Sequence, residues 1–342
     1  MRCFYAPETE AHDPSFRLTN GRVQQNAERP ERARLLRAAL DQAGLTTEEP
    51  PAFDRAAYEA VHTPRFLDFL QTAWETWQTL PGASEEVIPN AFPRLGTQRY
   101  PESFVGRAGW HAGDVSAPIG PGSWQATQRA ADCALAAADA VLDGAWSAYA
   151  LSRPPGHHTS AEVAAGHCLM NVSAIAAERL RSRHGRVAVL DIDTHHGNGT
   201  QDIFYERGDV LFVSVHTDTA NYYPFFTGYA EETGRGKGEG FNLNLPVPAT
   251  TEEEDWCAAI GVGLERIAAF APDALVLSLG LDAHRDDPLK GMRVGDAGFT
   301  RAARMIREAG YPTVLVQEGG YLSDSLTAAM AAFLEGWLES DA

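Results

Sequence analysis

Residues 187–201 read Val-Ala-Val-Leu-Asp-Ile-Asp-Thr-His-His-Gly-Asn-Gly-Thr-Gln, where an apolar run is followed at once by acids, histidines and glycines. The apolar part, Val187 to Leu190, predicts a short strand that is buried on both faces, as in a parallel sheet. Alternate residues of an extended chain share a face, so we expect Asp191, Asp193 and His195 to point the same way. A carboxylate and an imidazole on one face form half of a metal site.

Similar apolar runs recur through the second half of the chain and alternate with helical patterns. We predict strands at 147–151, 187–190, 210–215, 274–279 and 313–316, and helices at 126–144, 172–184, 251–271, 299–309 and 323–338. The third of these helices is expected to begin at a capping box formed by Thr251 and Glu254. The alternation predicts an α/β fold with a mainly parallel sheet flanked by helices. Neither a linker-like change in composition nor an internal repeat follows residue 126, so we interpret residues 1–342 as one domain.

Residues 81–124 carry many glycines and prolines and little periodicity. Loops of this length within a compact domain are typical of lids or interface arms. We therefore predict a lid or an oligomer contact in this segment, and plain irregular surface is the alternative.

Composition narrows the class of partner. The chain has 342 residues, 28 Lys and Arg against 46 Asp and Glu, and a net charge of -18. This acidity argues against a nucleic-acid-binding surface and against an anionic membrane. The start has no apolar signal region and no run is long enough for a membrane helix, so we expect a cytoplasmic protein. Its four cysteines form no C-x-x-C pair.

Polar clusters follow four of the predicted strands. The strand at 147–151 leads to Arg153-Pro-Pro-Gly-His-His158, that at 187–190 to the acids and histidines quoted above, that at 274–279 to Gly280-Leu-Asp282, and that at 313–316 to Glu318-Gly-Gly-Tyr321. Open parallel sheets bind ligands beyond the carboxyl ends of their strands. The four clusters are therefore expected to meet in one active site.

The residue types in these clusters indicate metal-assisted catalysis. Asp193, His195 and Asp282 would supply two carboxylates and one imidazole, which suits a divalent ion of the zinc or iron type with positions left open. His157 and His158 are candidates for general base and acid, because imidazole titrates near neutral pH. Tyr321 follows two glycines and could donate a hydrogen bond to a developing oxyanion.

These motifs closely resemble those of the zinc-dependent histone deacetylase superfamily, and most of all those of the bacterial acetylpolyamine amidohydrolases. The resemblance extends to Gly166-His-Cys-Leu-Met-Asn171, Ser123-Trp-Gln-Ala-Thr127, Gln201-Asp-Ile-Phe-Tyr205 and Gly228-Tyr-Ala-Glu-Glu232. It covers nearly the whole chain and implies the arginase-deacetylase fold, with a central parallel sheet of about eight strands.

The resemblance also implies roles for individual residues. Zinc would be held by Asp193, His195 and Asp282; His158 would be the general base, His157 its electrostatic or general-acid partner, and Tyr321 would polarise the amide carbonyl. Asp191 would pair with His157 and Asn198 with His158. A structural potassium ion would use Asp191, Ser214 and the backbone of Asp193 and His195. The implied activity is hydrolysis of a small acylated amine, such as an acetylpolyamine or an acetyl-lysine-like compound, by a homodimer whose 81–124 loop narrows the entrance.

The chain departs from the family pattern where the substrate is selected. Polyamine-cleaving members carry acids that bind the distant ammonium of the substrate, and the aligned positions here are Arg17 and Ser116. The channel wall, usually aromatic before Cys168, has His167, with Tyr223 as the facing aromatic. A long polyamine is thus in doubt, and an amidohydrolase for another amide is an alternative. A catalytically weak binding protein and a manganese ureohydrolase are further alternatives. The complete set of catalytic residues argues against the binding protein. The lack of a second metal cluster in these motifs argues against the ureohydrolase.

Overall fold

Eight strands, each parallel to its neighbours, form one sheet in the computed structural model, which describes residues 1–93 and 99–339. In chain order the strands of the molecule are β1 (Arg2–Phe4), β2 (Phe16–Thr19), β3 (Arg22–Gln25), β4 (Thr47–Glu48), β5 (Ser147–Ala150), β6 (Val187–Asp191), β7 (Val210–Thr217), β8 (Asn242–Val247), β9 (Ala274–Leu279) and β10 (Thr313–Gln317). The sheet order is β4-β1-β5-β10-β9-β6-β7-β8, and β2 and β3 form a separate antiparallel hairpin.

Helices cover both faces of the sheet. They are α1 (Glu31–Gln42), α2 (Arg55–Glu59), α3 (Pro64–Gln78), α4 (Phe104–Trp110), α5 (Ser123–Leu142), α6 (Val172–Arg181), α7 (Asn198–Phe204), α8 (Glu253–Phe270), α9 (Asp296–Glu308) and α10 (Leu326–Leu338). Apolar residues of α1, α8, α9 and α10 pack on one face, and those of α2, α3, α5, α6 and α7 pack on the other. The predicted α/β class with a parallel sheet flanked by helices is confirmed.

The double coverage explains the continuous apolar runs of the strands. In β6, Val187 and Val189 join the core on one face, whereas Ala188 and Leu190 join the core on the other. All four are fully buried. A strand that faces helices on both sides has no solvent-facing position for a polar residue, so its sequence is a run rather than an alternation.

Several predicted details differ from the structure. The prediction of a capping box at Thr251 is wrong. The N-cap residue of α8 is Glu252, whose side chain makes no capping hydrogen bond, and the helix begins at Glu253. Thr251 lies instead in a turn, where its N–H donates to Pro248 and its carbonyl accepts from Arg293. The sequence interpretation also missed short or edge elements, namely β4, β8, the β2–β3 hairpin, α2, α4 and α7.

The strand order brings the four polar clusters together. The strands that precede them are β5, β10, β9 and β6, which are consecutive in the sheet although not in the chain.

Part of the 81–124 segment, residues 94–98, lies outside the described residues, and its described part includes α4. The role of this segment and the extent of the domain stay predictions. Within residues 1–93 and 99–339, no helix is long and apolar enough to cross a membrane.

The contact between α9 and α10 supplies a test of the packing. A Cβ added at Gly336 in α10 would lie 2.1 Å from the carbonyl oxygen of Thr300 in α9, whereas one added at Gly261 in α8 would meet only the end of Met305, at 3.6 Å. We expect Gly336→Ala to lower the free energy of unfolding by about 1 to 3 kcal/mol, because the two helices must separate. Gly261→Ala, the matched control, should raise it by up to about 1 kcal/mol, because alanine favours a helix. Urea unfolding measures both, and equal effects at the two positions would contradict the packing argument.

Candidate metal centre and active site

Asp193, His195 and Asp282 converge at the carboxyl end of the sheet. One ligand atom of each lies within 4.8 Å of the others. Nδ1 of His195 is 3.0 Å from Oδ1 of Asp193 and 3.0 Å from Oδ2 of Asp282. All three side chains are buried. The structure therefore brings together the three residues predicted as metal ligands.

Turn hydrogen bonds, rather than an extended strand, direct these side chains. β6 ends at Asp191, so the alternation expected to carry on to His195 is wrong. Oδ1 of Asp191 accepts from the N–H of Asp193, and Oδ1 of Asp193 accepts from the N–H of His195. Oδ1 of Asp282 accepts from the N–H of Thr194, which links the end of β9 to the same turn. Short acidic side chains that bond to the backbone two residues on favour such turns.

Two glycines make room for the ligands. A Cβ at Gly280 would lie 2.3 Å from Oδ2 of Asp193, and one at Gly319 would lie 2.3 Å from Oδ2 of Asp282 and 2.5 Å from Oδ2 of Asp193. The N–H of Gly319 donates to Oδ2 of Asp193. Any side chain at either position would push the carboxylates apart, which is why the clusters contain glycine at these points.

The donor set fits a divalent metal ion. Asp193 and Asp282 are fully buried, and neither contacts a lysine or arginine in the described part of the chain. Burial opposes the charged form of His195, but its hydrogen bonds with Asp193 and Asp282 raise the pKa to about 9. The position between the carboxylates thus favours positive charge, and carboxylate and imidazole are the ligands that zinc and iron accept. These three side chains are a candidate metal site.

His157 is held as a cation. Its Nδ1 lies 2.8 Å from Oδ2 of Asp191, and its Nε2 lies 3.8 Å from Oδ1 of Asp193. The N–H groups of Gly156 and His157 donate to Oε2 of Glu318, which positions this loop against β10. Burial lowers the pKa of His157, but the charges of Asp191 and Asp193 outweigh it and raise the pKa well above its ordinary value.

His158 is held neutral. Its Nδ1 lies 2.6 Å from Oδ1 of Asn198, and its ring centroid is 4.1 Å from that of His157. Burial, and then the charge on His157, lower the pKa of His158 well below its ordinary value. Because the amide oxygen of Asn198 only accepts, Nδ1 of His158 carries the proton and Nε2 is left as a proton acceptor. An aspartate and an asparagine thus give two adjacent histidines opposite protonation states.

Tyr321 lies on the turn after β10 and is fixed by its backbone and its ring. Its N–H donates to Oδ2 of Asp287, and the guanidinium of Arg32 lies 4.7 Å from its ring centroid. Arg32 also donates to the carbonyls of Glu318 and Gly320, and so holds both sides of the turn. The hydroxyl of Tyr321 makes no hydrogen bond to a described residue, so it is available to a ligand.

A cavity of about 320 Å³ opens over these groups. His158, His195 and Tyr321 line its floor. Arg17, Ser116, His167 and Tyr223 line it as well, so all four residues predicted for the substrate channel reach it. A volume near 300 Å³ is at the low end of small-molecule sites.

The channel residues have defined neighbours. The hydroxyl of Tyr223 donates to Oδ2 of Asp114, and its ring meets that of His158 edge-on at 4.9 Å. The ring of His167 lies 5.6 Å from that of Tyr321. Burial, and then the charge of Arg17, lower the pKa of His167 to about 3, so it is neutral. His167 has a φ of 71°, a conformation rare outside glycine, which indicates a functional constraint at this wall.

The residues that support this site from a distance were missed in the sequence. Arg32, Asp114 and Asp287 act through hydrogen bonds from a helix or a loop to residues far away in the chain or in a loop, and no spacing pattern marks them. Tyr222, whose ring stacks on His195 with centroids 5.0 Å apart, was missed as well. Ser214, predicted beside Asp191, is its partner in the register of β6 and β7, and its side chain bonds to His216.

The chain is similar to known proteins over nearly its whole length. Residues 26–337 match the histone deacetylase domain family. The chain is 44% identical over 338 residues to the acetylpolyamine amidohydrolase of Burkholderia pseudomallei, covering 98% of each sequence. It is 39% identical over 342 residues to acetylpolyamine amidohydrolase 1 of Pseudomonas aeruginosa, covering 98% of this chain and 99% of that protein.

A solved structure shows the same fold. The crystal structure of the acetylpolyamine aminohydrolase from Burkholderia pseudomallei superposes with a TM-score of 0.95 at 44% identity and covers 98% of each chain. The sheet and the helices described above are therefore those of a known class of enzyme.

Metal binding can be tested with two buried aspartates of the same site. Asp282 belongs to the ligand group, whereas both carboxylate oxygens of Asp287 accept backbone N–H groups, from Leu289 and Tyr321. We expect about one divalent metal ion per chain in the wild type and at least about tenfold weaker metal binding in Asp282→Asn, because a charged ligand is lost. Asp287→Asn should retain the metal. Elemental analysis after gel filtration measures the metal retained by the wild type and by each variant. Full metal content in Asp282→Asn would contradict the assignment.

Proposed function

The chain belongs to the histone deacetylase family, and on this basis we propose that it is a metal-dependent amidohydrolase that removes the acyl group from a small acylated amine. The observation that carries the proposal is that one cavity holds a candidate metal site, a neutral histidine and a free tyrosine hydroxyl. The similar proteins named above are called acetylpolyamine amidohydrolases, which makes an acetylated amine the first class of substrate to consider. Cytoplasmic location stays a prediction from the sequence.

We propose zinc as the metal, held by Asp193, His195 and Asp282. Two carboxylates and one imidazole leave coordination positions open, as in catalytic rather than structural zinc sites. A potassium ion at Asp191 and Ser214 is proposed from the family resemblance. Lewis acidity is the chemistry that the zinc supplies when bound, since it lowers the pKa of water and stabilises negative charge on oxygen.

The protein groups divide the proton transfers and the charge between them. Nε2 of His158 accepts a proton from the attacking water, and the hydroxyl of Tyr321 donates a hydrogen bond to the amide oxygen as it gains negative charge. The proton taken up by His158 passes to the amine nitrogen as the C–N bond breaks, which yields a carboxylic acid and an amine. His157, held as a cation by Asp191, places positive charge beside this reaction.

A homodimer is proposed through the 81–124 segment. Its described part is joined to the loop that forms the cavity wall, because Ala164 donates to the carbonyl of His111 and accepts from the N–H of Gly113. Phe92 in this segment and Phe226 near the cavity are exposed apolar residues, with exposed fractions of 41% and 88%. We propose these two side chains as parts of the contact with the second chain.

The hydroxyl of Tyr321 provides the sharpest test of the reaction. We expect Tyr321→Phe to lower kcat for an acetylated amine at least about a hundredfold, because a single oxyanion donor contributes that much. The metal content should be unchanged. The assay is acetate release from acetyl-lysine or a monoacetylated diamine by the zinc-loaded protein, with and without a chelator.

The matched control is Tyr58→Phe, since the hydroxyl of Tyr58 is buried and bonded to Asp132, away from the cavity. It should leave kcat within a few-fold of the wild type. Full activity of Tyr321→Phe would overturn the role of the tyrosine, and no acetate release by the wild type from any acylated amine would overturn the proposed function.

The asparagine beside His158 predicts a pH dependence. Asn198→Asp puts a carboxylate where the amide oxygen lies 2.6 Å from Nδ1, which raises the pKa of His158. His158 accepts a proton only when neutral, so the pH below which kcat/KM falls should move up by about one unit or more. Asn198→Ser, which adds no charge, should lower the rate without this upward shift. A pH profile of Asn198→Asp that coincides with that of the wild type would argue against His158 as the base.

A further inference from the structure

Arg17 is the charged side chain on the walls of the active-site cavity. Among the described residues that line the cavity, no other is a lysine, arginine, aspartate or glutamate. The protein as a whole has a net charge of -18, so a wall with one cation and no anion runs against its general acidity. The positive charge of Arg17 is therefore specific to the cavity wall, and we look for the anion that pairs with it there.

No described residue supplies that partner. Arg17 makes neither an ion pair nor a hydrogen bond with the part of the chain that the structure describes, and its Nε is buried without an acceptor. A partly buried guanidinium without an acceptor is costly, whereas a carboxylate can take two parallel hydrogen bonds from it. A ligand anion would satisfy the group that the protein leaves open.

Two acids outside the candidate metal site, Asp114 and Asp287, bond to residues that line the cavity. Oδ1 of Asp114 accepts from the N–H of Ser116, and Oδ2 accepts from Tyr223 and from the N–H of Gly166. The two oxygens of Asp287 are likewise taken by backbone N–H groups. Neither carboxylate lines the cavity, so neither is presented to an ammonium group of a substrate. The rim of the cavity thus favours an anion over a cation.

The backbone around Arg17 is anchored. Ser15, two residues earlier, donates from its N–H and its hydroxyl to the two carboxylate oxygens of Glu86, which is buried. The side chain of Asn26 donates to the carbonyl of Phe16. These contacts hold β2 and β3 against the body of the protein, so the guanidinium is presented from a fixed strand.

We propose that Arg17 binds a carboxylate at the end of the substrate distant from the amide, so that the preferred substrates are N-acylated amino acids with the amide and the carboxylate at opposite ends of a chain, rather than acylated polyamines. The inference rests on the proposed function for the reaction and on Arg17 for the choice of substrate. The acidity of the whole protein attracts cations from a distance, but screening weakens that attraction and the contacts inside the cavity decide the preference. A planar guanidinium is suited to a carboxylate, which it can bind with two parallel bonds.

Three acetamides with the same five-methylene chain and the same acyl group differ only in the group at the far end of the chain. They therefore test the effect of its charge alone. They are acetamidohexanoate, which ends in a carboxylate, monoacetylated cadaverine, which ends in an ammonium, and N-hexylacetamide, which is neutral. For the zinc-loaded wild type we expect kcat/KM for the carboxylate to exceed that for the ammonium by at least about tenfold. A wild type that prefers the ammonium would overturn the inference.

Variants on one hairpin assign the preference to one side chain. Arg17→Gln should remove the preference between the three amides, and Arg17→Glu should reverse it in favour of the ammonium, a gain that misfolding cannot produce. The matched control is Arg22→Gln, which removes the same charge from β3 at an exposed position outside the cavity lining. It should retain the wild-type preference. An equal effect of Arg22→Gln and Arg17→Gln would mean that overall charge selects the substrate, and would overturn the inference.

Binding measured without turnover keeps the two proposals apart. Calorimetry compares the affinity for acetamidohexanoate of Tyr321→Phe with that of the double variant Tyr321→Phe, Arg17→Gln, and we expect at least about a tenfold loss in the double variant. Arg17-dependent binding without hydrolysis of any amide would overturn the proposed function alone. Hydrolysis of all three amides with no dependence on Arg17 would overturn this inference alone.

Discussion

The cost of burying carboxylates governs the arrangement of this site. Asp191, Asp193 and Asp282 are fully buried at the end of the sheet, and none of them contacts a lysine or arginine in the described ranges. A buried charge without compensation costs several kcal/mol. Here the compensation comes from histidines, from backbone N–H groups and, as proposed, from a metal ion. The folding of this region is thereby tied to the chemistry it performs, because the same charges serve both.

The same constraint sets apart two neighbouring histidines. His157 faces a carboxylate and is kept charged, whereas His158 faces the amide of Asn198 and is kept neutral beside the charge of its neighbour. Pairs of titratable groups whose surroundings drive their pKa values apart are typical of acid and base catalysis. The division of roles thus follows from one difference between Asp191, the last residue of β6, and Asn198, the first residue of α7.

The charge of the cavity differs between its floor and its walls. Negative charge is concentrated at the metal site, whereas the walls carry Arg17 and the neutral groups His167 and Tyr223. In the proposed reaction, a substrate in this cavity would have the metal site at one end and the guanidinium of Arg17 at the other. The chain belongs to the histone deacetylase family, and loop residues such as those of the walls are where proteins of one fold commonly differ in what they bind.

The sequence by itself determined the α/β class, the parallel sheet and the chemical clusters, because a strand buried on both faces must be an apolar run and must end where polar residues begin. It also determined Asp193, His195 and Asp282 as a group, since carboxylates and an imidazole after strands suit a metal. Only the tertiary structure decided that β5, β10, β9 and β6 are adjacent, because sheet order depends on crossovers that leave no local pattern. Likewise, Arg32 and Asp287 are joined to Tyr321 by contacts across long stretches of chain, and such contacts exist only once the fold has formed.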